Sequence, residues 1–279
     1  MEVVHTIKDL RKKVQKWRKS GDTVALIPTM GALHDGHLSL VSIGRLHCKR
    51  TIVTIFVNPI QFGKNEDLTK YPSNLMQDKS ILEKAEVDLL FVPSVKEIYP
   101  SEFATKISVR GISQDMCGAT RPGHFEGVAT IVTKLFLLAM PDSAIFGEKD
   151  FQQLQVIRRL TADLNIPVKI ISGPTVRNSD GLAMSSRNSY LSETERKIAP
   201  TLYRSLRLAV QAIKANNQNI EGICEEARQS ILTAGFLSVD YLDVRDENTM
   251  LVATQLKGAE RIFCAARLKG ARLIDNLKI

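Results

Sequence analysis

The chain has no apolar run approaching the roughly 18 residues that mark a membrane-crossing helix. Its opening residues, Met1-Glu2-Val3-Val4-His5, lack the basic-then-apolar pattern of an export signal, so the expected location is the cytoplasm. Cysteine is scarce: Cys48, Cys117, Cys224 and Cys264 lie far apart and form no CxxC pair. That spacing excludes a zinc ribbon and a disulfide framework, and buried free thiols are expected instead. No P-loop and no GxGxxG fingerprint occurs, so the two commonest glycine-rich nucleotide motifs are missing. A GxSxG elbow is absent too, which leaves a Ser-His-Asp nucleophile site unsupported. Internal repeats and low-complexity tracts are also lacking.

What is present is an ordinary globular composition, 44% hydrophobic and 24% charged over 279 residues, enough for one large or two modest domains. A net charge of +8 invites a nucleic-acid reading. The densest basic cluster, Lys8 to Lys19, carries apolar Leu10, Val14 and Trp17 at i, i+4 and i+7. Its charges are therefore the solvated face of an amphipathic helix. A broad positive field suits anionic small molecules such as ATP and carboxylates equally well.

The stretch that organises the rest is Pro28-Thr29-Met30-Gly31-Ala32-Leu33-His34-Asp35-Gly36-His37, between the apolar run Val24-Ala25-Leu26-Ile27 and a helix-like pattern to about His47. Strand, glycine-bearing turn and helix suit phosphate, because backbone N–H groups at a new helix N-terminus lack intrahelical partners. Three readings of His34 and His37 stand open: polar turn residues, metal ligands, or phosphate contacts. The metal reading is weakened by the i, i+3 spacing and by the lack of a nearby third ligand.

Downstream, Thr51-Ile52-Val53-Thr54-Ile55-Phe56-Val57 reads as a strand buried on both faces and stopped by Asn58-Pro59. A helix is expected from about Leu75 to Ala85, then a strand over Val87 to Pro93 and a short strand at Lys106 to Arg110. A buried helix over Gly127 to Leu138 follows, with a strand at Ser143 to Phe146, a helix at Phe151 to Leu164 and a strand at Val168 to Ile171. This alternation predicts βαβ units in a doubly wound parallel sheet, with ligands beyond the carboxyl ends of the strands. Composition shifts at Gly173-Pro174. From near residue 175 a smaller α+β domain is expected, with long helices at about Glu193 to Ala215 and Ile220 to Ala234. Strands at Val239 to Val244 and Arg261 to Ala266 finish it.

Four polar clusters interrupt this framework: His34/His37, Asn58/Gln61, Gly147 to Gln153, and Met184 to Asn188. Lys149 offers phosphate a compact point charge, and Asp150 can accept ribose hydroxyls or cap the following helix with Gln153. Gln152 and Gln153 fall in that helix's first turn. Asn58 and Gln61 have turn chemistry as an alternative role. Met184-Ser185-Ser186-Arg187 can wrap a triphosphate, or can be a polar linker.

Five blocks taken in order resemble the pantoate–β-alanine ligase family. They are Pro28 to His37, Phe56-Val57-Asn58-Pro59-Ile60-Gln61-Phe62, Arg121-Pro122-Gly123-His124-Phe125, Phe146 to Gln153, and Asp180 to Asn188. His34-Asp35-Gly36-His37 and Met184-Ser185-Ser186-Arg187 look like the HIGH and KMSKS elements of the wider nucleotidyltransferase superfamily. The resemblance implies a Rossmann-like N-terminal domain, residues 1–174, that binds nucleotide and pantoate. It adds a C-terminal lid domain, residues 175–279, and a cytoplasmic homodimer with no nucleic-acid or membrane partner. Mg²⁺, ATP, (R)-pantoate and β-alanine are the implied ligands, with pantoyl adenylate as intermediate. ATP binding falls to Met30, Gly31, Ala32, Leu33, His34, Asp35, Gly36, His37, Gly147, Glu148, Lys149, Asp150, Val176, Met184, Ser185, Ser186 and Arg187. His37, His34 and Lys149 are the implied catalytic residues; Gln61, Gln153 and Asn58 the substrate-binding ones; no protein metal ligand is implied. Arg121 and His124 are weaker candidates for the substrate loop. Ser73-Asn74 and Gly173 depart from the family's usual residues without touching a matched catalytic position. A nucleotidyltransferase that stops at an adenylated product, and an RNA-binding protein on a degenerate scaffold, are the rival readings.

Overall fold

The structure is a computed structural model that describes residues 1–64, 66–216 and 219–279. The chain divides into two compact units, Met1–Glu148 with Gln153–Pro174, and Lys149–Gln152 with Thr175–Ile279.

The first unit runs β1 (Glu2–Val4), α1 (Ile7–Lys19), β2 (Val24–Thr29), α2 (Asp35–His47), β3 (Arg50–Ile55), α3 (Leu75–Lys84), β4 (Leu89–Phe91) and the short helices α4 (Val95–Ile98) and α5 (Cys117–Thr120). It continues with α6 (His124–Ala139), β5 (Ser143–Gly147), α7 (Phe151–Asp163) and β6 (Lys169–Gly173). The six strands form one sheet in the order β1-β4-β3-β2-β5-β6, and each pair is parallel. Val24, Ala25, Leu26 and Ile27 are all fully buried, so both faces of β2 are covered, as the unbroken apolar run requires. Ala25, Ile27, Val53, Leu90 and Ile145 pack with Leu40, Val41 and Leu82 of α2 and α3.

The strand order reverses at β2. From β2 the chain steps outward through β3 to β4, then returns on the other side with β5. Such a switch point opens a crevice beyond the strand carboxyl ends, and here those ends are Thr29 and Gly147.

The second unit holds α8 (Glu193–Ile198), α9 (Thr201–Ala215), α10 (Ile220–Thr233) and an antiparallel sheet β7 (Ser238–Asp246), β8 (Glu260–Arg267), β9 (Arg272–Lys278) in that order. Leu202, Leu206, Ile213, Ile223 and Ile231 of its helices pack on Leu242, Val244, Ile262 and Cys264 of its sheet.

Three expectations are corrected. Lys106 to Arg110 is not a strand: the Ile107 N–H donates to Thr130 Oγ1 of α6 at 3.0 Å instead of to a neighbouring strand. The helix expected over Glu193 to Ala215 is two helices, because Pro200 has no N–H to continue the ladder. Strands β1 and β9 extend the expected set. β1 is only three residues long, and β9 buries Asp275 and Asn276 in place of the apolar residues a strand pattern leads one to seek.

Candidate active site

The β2–α2 turn begins at Met30, continues through Gly31 at φ 87° and Ala32 at φ 51°, and enters α2 at Asp35. Gly31 suits its left-handed position, and its missing Cβ lets the chain pass close to Asp78 and Ile55. The carboxylate of Asp78, buried on α3, accepts the Ala32 and Leu33 N–H groups at 2.8 Å each. Thr29 Oγ1 accepts the Gly31 N–H at 3.2 Å.

The histidines then cap the helix reciprocally. His34 Nδ1 accepts the Gly36 N–H at 3.2 Å, and His37 Nδ1 accepts the His34 N–H at 3.3 Å. The His37 N–H itself goes to the His34 carbonyl at 2.8 Å. The expectation that these backbone N–H groups are unpartnered is not met for Ala32, Leu33, His34, Gly36 and His37, whose N–H groups are taken up by Asp78 and the histidine cap. What the turn provides is imidazole. A ring whose Nδ1 accepts carries its neutral-form proton on Nε2, so both rings have donor Nε2 atoms, with centroids 4.1 Å apart.

At the end of β3 a 3-10 turn, Pro59–Gln61, follows Asn58, which is fully buried. Asn58 Nδ2 donates to Gln61 Oε1 at 3.0 Å and to the Gly127 carbonyl at 3.1 Å, and its Oδ1 accepts from Tyr99 Oη at 2.8 Å. Burial pushes the Tyr99 hydroxyl well above its ordinary range, which keeps it a donor. With Oε1 engaged, the Gln61 amide has Nε2 as its other end, 3.1 Å from Met30 Sδ. Gly127 permits this packing, since a Cβ there meets the Gln61 backbone and the Ile60 carbonyl at 2.6 Å. Gln153 stands in the first turn of α7, partly buried, beside buried Gln152. Glu148 Oε1 accepts from Ser172 Oγ at 3.1 Å, so Glu148 braces the carboxyl end of β5.

The second unit has its own polar set. The Lys149 ammonium lies 3.7 Å from the Asp150 carboxylate, and the Lys149 carbonyl accepts from Asn276 Nδ2 at 2.9 Å. Asn276 is held in turn by Arg261 at 2.6 Å, while Phe151 packs on Phe263 and under the Arg261 guanidinium. These contacts tie Lys149–Gln152 to β8 and β9. Arg177 makes a bidentate pair with buried Asp275 at 2.6 and 2.8 Å. Val176 and Met184 join at 2.9 Å through the Met184 N–H, next to the bridge between Arg177 and Ala183. Ser185 Oγ accepts the Arg187 N–H at 3.3 Å and opens a 3-10 turn, Ser186–Tyr190. The Met184–Arg187 stretch is thus the capped start of a turn and not a loose linker.

Sequence reasoning missed Asp78 and Tyr99, and gave Asp275 and Asn276, at the end of the family resemblance, no role. Asp78 leaves one trace, an acidic residue four before Leu82 on the buried face of α3. The others act through partners tens of residues away and leave no local pattern.

Fold and site define an enzyme of the Rossmann-like α/β class, with a histidine-bearing turn at the sheet's switch point. The sequence pattern of pantoate–β-alanine ligase matches residues 2–278. A pantothenate synthetase of Cereibacter sphaeroides is 50% identical over 99% of both chains, and one of Paramagnetospirillum magneticum is 50% identical over 100% of this chain and 98% of its own. Among solved structures, pantothenate synthetase of Thermus thermophilus superposes with a TM-score of 0.94 at 43% identity, covering 100% of this chain and 99% of its own. The Francisella tularensis pantoate–β-alanine ligase, complexed with beta-gamma ATP and β-alanine, gives 0.85 at 36% identity, covering 100% and 97%. The chain belongs to the pantoate–β-alanine ligase family and joins pantoate to β-alanine.

Proposed function

We propose that this chain carries out the ligation in two steps on ATP. In the first, the carboxylate of (R)-pantoate attacks the α-phosphorus; an acyl–phosphate bond forms and the bond to pyrophosphate breaks. In the second, the β-alanine amine attacks the acyl carbon of the pantoyl adenylate, AMP departs with the bonding pair, and the nitrogen gives up a proton. No protein nucleophile is needed, because the pantoate carboxylate is already ionised.

The observation that carries this reading is the reciprocal histidine cap. It fixes both rings and makes their Nε2 atoms donors, as charge building on a phosphate requires. We assign His37 and His34, with Lys149, to catalysis. ATP contacts fall to Met30 to His37, Gly147 to Asp150, Val176 and Met184 to Arg187. Gln61, Gln153 and Asn58 are assigned to the substrates; Gln61 suits a carboxylate or hydroxyl, because Asn58 occupies its Oε1. Holding adenylate and amine together supplies effective concentration, the largest gain open to a ligase without covalent catalysis.

Among the described residues no three His, Cys, Asp or Glu side chains gather as a metal cage. Mg²⁺ is proposed to be carried by the ATP phosphates, where it would supply charge neutralisation. Cytoplasmic location is proposed too: four buried free cysteines suit a reducing compartment. A homodimer follows from the family resemblance, and sedimentation at micromolar protein reads it directly. For the function, AMP release from ATP is expected only when pantoate and β-alanine are both present; its absence under every combination overturns the reading.

A further inference from the structure

Behind Gln61 lies a chain of polar side chains that the two-step reaction leaves without a role. His124, buried at the start of α6, has Nδ1 3.0 Å from the Gln61 carbonyl and Nε2 2.9 Å from Arg121 Nη1. A guanidinium only donates, so Nε2 accepts and the neutral ring carries its proton on Nδ1. That proton is aimed at the Gln61 carbonyl. Arg121 is fixed from its other side by Glu66, which takes Nε at 2.8 Å and Nη2 at 2.6 Å in a bidentate pair. The guanidinium therefore locks the tautomer of His124, and His124 locks the backbone of the 3-10 turn at Gln61.

A second clamp acts on the same residue from another direction. Tyr99 holds Asn58, and Asn58 holds the Gln61 side chain by Oε1. Backbone and side chain of one glutamine are thus secured by separate polar chains.

We propose that Glu66, Arg121 and His124 form a positioning relay that sets the backbone of Gln61 and thereby its grip on pantoate. This inference rests on the reading that Gln61 binds pantoate. His124 and Arg121 are positioning residues, acting on substrate only through Gln61. Loss of the relay weakens pantoate binding more than ATP binding, because the relay bonds to the Gln61 backbone directly and reaches the β2–α2 turn only through the Gln61 side chain's contact with Met30.

The test is steady-state kinetics on the full chain with a double-mutant cycle. H124A is expected to raise KM for pantoate about tenfold, as for loss of one buried hydrogen bond, with KM for ATP within about twofold of the parent. H124N places an amide N–H near the lost Nδ1–H and should recover most of the loss. R121K keeps the charge but loses the bidentate fork; it should show the same pattern more weakly, and it keeps the test decisive if H124A does not fold. On a Q61A background, H124A or R121K should add nothing further. Equal increments on both backgrounds, or a matching rise in KM for ATP, overturns the relay. If Q61A alone leaves KM for pantoate unchanged, the underlying reading of Gln61 fails instead, and that outcome is visible separately.

Discussion

Replacing Asp78 by asparagine should loosen the turn that carries both histidines. In the parent, each carboxylate oxygen accepts one backbone N–H at 2.8 Å, from Ala32 and from Leu33, in a buried setting. The amide keeps one acceptor and turns an NH₂ toward the other N–H. A hydrogen bond to a charged group contributes about 1.5–3 kcal/mol, and a buried N–H left without an acceptor adds roughly 1–3 kcal/mol. Ala32, a non-glycine residue at φ 51°, also loses what holds it in a left-handed conformation that costs about 1–2 kcal/mol. Relaxation returns part of this, so a net local loss of about 3 kcal/mol is expected. By hydrogen exchange with mass spectrometry, protection in a peptide spanning residues 30–37 should fall roughly 100-fold, about tenfold per 1.4 kcal/mol. Peptides from β7 to β9 should be unchanged. Unaltered protection at the turn, with the protein folded, refutes the claim that Asp78 shapes it.

Three further outcomes are expected. His37→Ala should slow adenylation by at least about 100-fold, the scale of one lost oxyanion-type donor, as read by rapid-quench formation of pyrophosphate; near-normal rates contradict its role. Gly127→Ala places a Cβ 2.6 Å from the Gln61 backbone. It should therefore lower the melting temperature and raise KM for pantoate, with a cost of about 1–3 kcal/mol for overpacking. Asp22, which accepts from Arg50 Nε and forms an ion pair with Lys49, has its carboxyl held below the usual range by those two cations. A lowered folded value means stability present above the unfolded pKa of about 3.9 and lost as pH falls through the folded one, so D22N should flatten the stability profile below about pH 4.

Much of the sheet was legible because β2 and β3 are continuous apolar runs, which only strands buried on both faces require. The order of the five polar blocks made the chemistry legible as well. What stayed hidden was the use of the backbone. A fresh helix N-terminus implies unpartnered N–H groups, yet the histidines take those of His34 and Gly36, and Asp78, some 45 residues away, takes the two just ahead of the helix, of Ala32 and Leu33. No local periodicity encodes that. The strand β9 was missed for a related reason: Asp275 and Asn276 are polar where the pattern calls for apolar residues, and they are buried because Arg177 and Arg261 satisfy them. Pro200 was a readable signal, since its missing N–H breaks any helix drawn through it. The Tyr99–Asn58–Gln61 clamp joins two segments some 40 residues apart, so only the folded chain discloses why the glutamine amide has a defined orientation.

The most direct measurement of the two-step account is exchange of labelled pyrophosphate into ATP without β-alanine. Exchange that appears only when pantoate is added, with AMP released once β-alanine follows, is the predicted result. An enzyme that makes pantothenate yet shows no pantoate-dependent exchange contradicts the adenylate, and with it the role given to the two histidines.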